Sequence, residues 1–274
     1  MRLIYEFGAN AIIFAAFISP ITVSVAAEQL PTCPGKHPPV ELPQAMQANF
    51  KKVYCGRNVS VCDRRWGNFS LLYSMIAKDE RLTSIPLVST VMATVMTETF
   101  SKDLAPDTVE FPPNKNKVLP QYWIKDPVTH MTYQGRGWGQ LTHADRYKWV
   151  GKQIGMGDKL YKNPSLALRP DISYKVLVGG LLYGWHEQYR KNEDGQQLIP
   201  TVPIRITDFI APLKVDYMAA RTATNANCDH RTCKDRYVEG KGFIPLDKYI
   251  TRGEDFRGYA MYVEKWLCSS DQLY

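Results

Sequence analysis

Thr97-Glu98-Thr99-Phe100 closes a long apolar run, and Tyr133-Gln134-Gly135-Arg136-Gly137-Trp138-Gly139-Gln140-Leu141-Thr142 leads into the next helical pattern. The residues between them, 101–134, carry five prolines and little periodicity. An irregular stretch of this length inside a compact domain is unusual and tends to be functional. Upstream, Leu87, Val88, Val91, Met92, Val95 and Met96 form a wide apolar stripe, with Ser84 placed as an N-cap and Pro86 in the first turn. A helix that is apolar over most of its surface belongs at the centre of a fold.

Working outward, the pattern remains helical. Further helices are expected at 43–54, 63–81, 142–154 with Thr142 as N-cap, 171–191, 203–210, 215–224 and 255–267. Gly179-Gly180 would let a neighbouring helix approach closely. Asn163-Pro164-Ser165 reads as a turn, and 242–250 as strand or loop. The expected class is mostly α, in one domain with long loops.

The 274 residues are 45% hydrophobic, enough for one sizeable core or two small ones. Net charge is +7, but no run of like charges concentrates it, which argues against a nucleic-acid groove. Diffuse basicity would still attract polyanions, the bacterial cell wall among them. The chain opens like an export signal: Arg2, a mainly apolar stretch from Ala11 to Val25, and small residues Val25-Ala26-Ala27 ahead of Glu28. That stretch is shorter than the roughly 20 residues a membrane span needs. Residues 1–27 are therefore expected to be a signal peptide, 28–43 a Pro-rich tether, and the product a secreted or periplasmic protein with no integral membrane association.

All six cysteines lie beyond Glu28, and an even count in an exported chain implies disulfides. Cys55 with Cys62 and Cys228 with Cys233 would close short loops, leaving Cys33 for Cys268, although about 15 pairings of six cysteines are possible. A zinc reading of Cys228-Asp-His230-Arg-Thr-Cys233 lacks a fourth ligand at any usual spacing. No metal or cofactor is expected.

Cleaving a glycosidic bond needs a proton donor and a second group that activates water or holds the cation. Glu98, at the end of the apolar helix, is placed to be the donor, because partial burial and the helix's negative end favour a protonated carboxyl. Glu110 on the loop would stay ionised as a base, with Asp103 and Asp107 as rivals. Three glycines within 135–139 permit a tight turn and close backbone approach to a ligand. Gln140 suits sugar hydroxyl and acetamide groups, and Thr142 could orient a water. The loop has no Gly-Lys-Ser/Thr ending and no preceding strand, so it is not a phosphate loop.

In their order, Glu98-Thr99, Glu110, Tyr133 to Thr142, Tyr147 and Asn163-Pro164-Ser-Leu166 resemble the family 19 glycoside hydrolases, which include chitinases and cell-wall lysins. Ala220-Arg221-Thr-Ala-Thr-Asn225 resembles that family's Ala-Arg…Asn-Gly segment. The chain departs from the family at Thr97, often His there, after Thr99, where Gly-Gly is missing, and after Asn225, where Ala226-Asn227-Cys228 replaces glycines.

The resemblance implies a lysozyme-like fold over 44–274, two lobes around a cleft, and cleavage of β-1,4-linked N-acetylglucosamine polymers by inversion. It implies Glu98 as acid, Glu110 as base and Thr142 as holder of the attacking water. Tyr133, Gln140, Tyr147 and Asn225 would line the sugar cleft, together with Arg136, Trp138 and Asn163, while Arg221 supports the carboxylates. The partner is then a polysaccharide, chitin or peptidoglycan, and an immunity protein if the chain is an effector. Two alternatives stand beside it: a non-catalytic glycan-binding protein of the same fold, and a single-carboxylate lytic transglycosylase-like enzyme.

Overall fold

The computed structural model describes residues 33, 37–55, 59–112, 119, 121–185, 188–191, 198–201, 204–212, 214–224, 236–238, 242–244 and 247–269. The expected signal peptide, much of the tether, Asn225, Cys228 and Cys233 lie outside the described residues. The fold is mostly helical, and no described helix is long and apolar enough to cross a membrane.

The centre is α3, Ile85–Thr99, whose residues 85–96 are buried without a break. Ser84 stands at its N-cap position in an extended conformation, and Pro86 occupies the first turn, where a missing N–H costs nothing. A helix this deep still carries threonines because each hydroxyl bonds back to a carbonyl one turn earlier. Thr90 donates to Pro86 O (2.8 Å), Thr94 to Thr90 O (2.9 Å), Thr97 to Ala93 O (2.8 Å) and Thr99 to Val95 O (2.8 Å). Along it lies α8, Asp247–Ser269. Phe256, Ala260, Val263 and Leu267 of α8 are fully buried at helical spacing. Burying each large one contributes about 1.5–3 kcal/mol.

Two shorter helices, α1 (Gln44–Tyr54) and α2 (Val59–Ile76), pack on each other through Phe50 and Phe69, ring centroids 5.0 Å apart. Cys55 is bonded to Cys62 of α2, and Cys33 to Cys268 near the end of α8. After α3, the chain turns through Asp103 (φ 57°) and Leu104 (φ 59°), left-handed conformations that cost non-glycine residues about 1–3 kcal/mol each. Arg64 and Arg65 of α2 hold Asp103 at 2.9 and 3.3 Å, and Asn68 donates to its carbonyl at 2.9 Å.

Downstream follow α4 (Ala144–Gln153), α5 (Lys159–Lys162), α6 (Pro170–Tyr183), α7 (Tyr217–Ala220) and short 3₁₀ turns. Among the described residues three antiparallel pairs occur: β1 (Gln188–Lys191) with β2 (Leu198–Thr201), β3 (Ile210–Ala211) with β4 (Lys214–Val215), and β5 (Arg236–Val238) with β6 (Gly242–Ile244).

Four expected elements are corrected. The helix expected over 171–191 stops at Tyr183, because Gly184 takes φ 89° and closes the end onto Gly180 O; 188–191 is strand β1. The helix expected over 203–210 is a 3₁₀ turn, Ile206–Asp208, followed by β3. Helix α4 is capped by His143 at φ 68° rather than by Thr142. Of Gly179-Gly180 only Gly179 faces a helix end, where a Cβ would meet Ile154 Cγ2 of the α4 C-cap at 2.6 Å; a Cβ on Gly180 would stand 2.5 Å from the indole of Trp185, so that space belongs to the ring.

Candidate active site

Thr97 and Glu98 are the first partly exposed residues of α3, so the carboxylate emerges where the buried helix ends. Glu98 Oε1 accepts from Arg221 Nη2 at 2.6 Å, with the side chains 21% and 9% exposed. Arg221 opens the 3₁₀ turn Arg221–Ala223 directly after α7, and α7 is held on α8 by the Tyr217 hydroxyl, which donates to Glu264 at 2.8 Å. The guanidinium faces Glu98 because the packing of α7 on α8 delivers Arg221 to the end of α3. One turn before Glu98, the Thr94 hydroxyl lies 3.5 Å from that of Thr224.

Glu110 is fixed to the glycine-rich loop. Its N–H donates to Gly135 O (2.7 Å), and its Oε2 accepts from Gly135 N–H (3.0 Å). Its Oε1 accepts from the Tyr122 hydroxyl (3.2 Å). Val109 bridges Arg136 in antiparallel fashion, and Arg136 bridges Leu141, which folds 135–141 into a tight hairpin-like turn. Burial holds the Lys102 ammonium below its usual range while Glu110 pulls the other way; its Nζ donates to Val109 O at 2.6 Å. Tyr122 is pushed up by burial and then by the Glu110 charge.

Glu98, Glu110, Gln140 and Thr142 line one cleft of about 210 Å³, together with Gly135, Gly139, Arg146 and Thr224. Gln140 is held by its own turn, Nε2 donating to Gly137 O at 2.8 Å, at a backbone φ of 47°. Thr142 makes no side-chain hydrogen bond to a described residue. Released from capping α4, its hydroxyl is available to whatever fills the cleft.

Other expected site residues serve the loop rather than the cleft. Trp138 is fully buried, its indole N–H donating to Leu104 O at 2.7 Å. Tyr147 is fully buried as well, and receives Arg136 Nη1 at 3.2 Å. The same Nη1 donates to the carbonyls of Thr132 and Gln134, both at 3.1 Å, so Arg136 ties the loop together from within. Tyr133 is 2% exposed, stacked on Tyr161 with ring centroids 5.4 Å apart. Its hydroxyl donates to Tyr161 O at 2.8 Å. Asn163 lies at the exposed end of α5, outside the lining of the cleft.

The glycines also make room for protein rather than for ligand. A Cβ on Gly137 (φ 72°) would meet Ala167 O at 2.5 Å and Ser173 Oγ at 2.7 Å, and one on Gly139 would strike the Trp185 ring. Trp185 is thus seated between Gly139 of the loop and Gly180 of α6.

Sequence reasoning did not find Arg146, Lys102 or Tyr122. Arg146 lies four residues after Thr142, in the first turn of α4. That signal is readable only once the helix start is known. No family model matches the chain, and no curated protein or solved structure matches it. The chemistry therefore rests on the residues described above.

Proposed function

We propose that this chain is an exported glycoside hydrolase with a lysozyme-like, two-lobed domain. It cuts the β-1,4 bonds of N-acetylglucosamine-containing strands with inversion, as its motif resemblance to family 19 implies. The observation that carries the reading is the shared cleft: Glu98 from a helix end and Glu110 from a loop line one space together with Thr142 and Gln140.

In this reading Glu98 protonates the leaving oxygen. Arg221 occupies Oε1, so the proton is delivered from Oε2, which has no partner among the described residues. Glu110, held by neutral donors on both oxygens, accepts a proton from water positioned by Thr142. The backbone fixes Glu110 and the ion pair fixes Glu98. Such preorganisation leaves little to rearrange when charge develops at the anomeric carbon.

The test is product analysis of protein beginning at Glu28, alongside its Glu98→Gln and Glu110→Gln variants, on chitin oligosaccharides and on purified peptidoglycan. The expected outcome is release of reducing ends with inverted anomeric configuration, reduced about 10²–10⁴-fold by either substitution. Anhydro-sugar products that survive Glu110→Gln would replace this mechanism with the single-carboxylate one. Binding without products in all three proteins would replace it with a glycan-binding role.

A further inference from the structure

Beside the Glu98–Glu110 cleft runs a larger groove of about 750 Å³. The two are continuous in their walls: Arg146 lines both, and Tyr122, which lines the groove, bonds Glu110 in the cleft. Its floor offers apolar contact from Tyr122, Ile124 and Pro127. Charge is supplied by Lys125, Arg146 and Lys148, none of which forms an ion pair with a described residue. Lys148 Nζ lies 4.1 Å from the Tyr161 ring centroid, which steadies a cation without neutralising it.

Two carboxylates face these cations. Asp126 Oδ1 is taken up by the N–H groups of Val128 (2.9 Å) and Thr129 (2.8 Å) and by the Tyr161 hydroxyl (2.8 Å). Asp145 is exposed in the first turn of α4. His143, which lines the groove, is held below its ordinary value by burial and then by the neighbouring Arg146, against the pull of Asp145 and Glu110. The groove therefore presents an apolar floor for a sugar face and a surplus of unpaired positive charge.

We propose that this groove selects glycan strands whose sugars carry carboxylate-bearing peptide substituents, so that the substrate class is the peptide-bearing glycan of the bacterial wall rather than neutral chitin. Lys125 and Lys148 are the specificity-determining groups, and Arg146 joins the groove to the reacting bond. The proposal rests on the hydrolase reading above and narrows it. A strand with a lactyl–peptide substituent on alternate sugars places a carboxylate beside the apolar floor, whereas a chitin strand leaves the cations facing water.

The experiment uses Glu98→Gln protein and isothermal titration calorimetry with three ligands of matched length. These are a chitin oligosaccharide, soluble peptidoglycan strands with stem peptides, and the same strands with their carboxyls amidated. The expected result is about tenfold tighter binding of the anionic strand, from two or three partly exposed charge contacts. Amidation removes that preference, and Lys125→Gln/Lys148→Gln narrows it to about twofold. Equal affinity for chitin, a preference that survives amidation, or a preference untouched by the double substitution would each overturn the proposal. So would displacement by an oligonucleotide as effective as by the strand. If the unsubstituted protein cuts both polymers with equal affinity, the hydrolase reading stands and the groove proposal falls. If neither polymer is bound or cut, both fall.

Discussion

Arg221 Nη2 stands 2.6 Å from Glu98 Oε1, while Arg221 Nη1 is buried with no hydrogen-bond partner among the described residues. The guanidinium is thus committed to one carboxylate and has no second anion to fall back on. Removing either partner strands the other.

Arg221→Met is accordingly expected to destabilise the protein by about 3 kcal/mol, the lower end for broken buried pairs because Glu98 retains some solvent. Chemical denaturation measures this. Under the proposed hydrolase reading the same substitution also frees the proton donor from its anchor, so kcat should fall about 10²-fold. A kcat unmoved by Arg221→Met would take Arg221 out of positioning Glu98.

Gly139→Ala places a methyl group against the Trp185 ring. Overpacking of this kind costs about 1–3 kcal/mol. The loop carrying Gln140 and Thr142 would shift with it, so both the denaturation midpoint and kcat should fall. The double variant Gly139→Ala/Trp185→Leu frees the space and should recover part of the loss. No recovery would mean that Gly139 is needed for something other than the ring.

Glu264 is 2% exposed on α8, its Oε2 accepting from the Tyr217 hydroxyl at 2.8 Å. Burial pushes its carboxyl above the ordinary glutamate value, against the lowering effects of the Tyr217 hydroxyl and the Cys33 backbone. The unfolded chain therefore releases this proton first. The stabilising contribution of the neutral acid is complete below the unfolded value and is lost as pH rises through the folded one. Glu264→Gln should flatten that part of the stability–pH curve and gain on the parent above it. Identical slopes in both proteins would refute a neutral buried Glu264.

Cys33–Cys268 spans 235 residues of sequence. Replacing both cysteines with serine should cost about 2–5 kcal/mol, mainly by freeing the unfolded chain. Thermal unfolding of the variant should show this loss, and the parent under reductant, which also opens Cys55–Cys62, should lose at least as much.

The central helix was legible from sequence because its apolar residues recur at helical spacing and its polar ones are threonines, which can satisfy themselves. The end of α6 was not, although Gly184 stood in plain view, because Trp185 continues the apolar pattern beyond it. Two-residue strands such as β3 and β4 leave no periodicity to read. Glu98, Glu110, Gln140 and Thr142 could be picked out by residue type and spacing. Trp138 and Tyr147 could not be sorted into wall or core, since an aromatic ring looks the same in sequence whichever side it faces. Arg146 was hidden by the helix start, misplaced when Thr142 rather than His143 was taken as the cap.

The two carboxylates of the cleft belong to different kinds of support. Glu98 is carried by a helix locked into the core; Glu110 rides on a loop whose hold is two backbone contacts with Gly135 and one phenol. Their separation is thus fixed jointly by the core that holds α3 and by the Gly135 turn that holds Glu110. Changes confined to that turn would alter the gap between the two carboxylates while α3 stays in place.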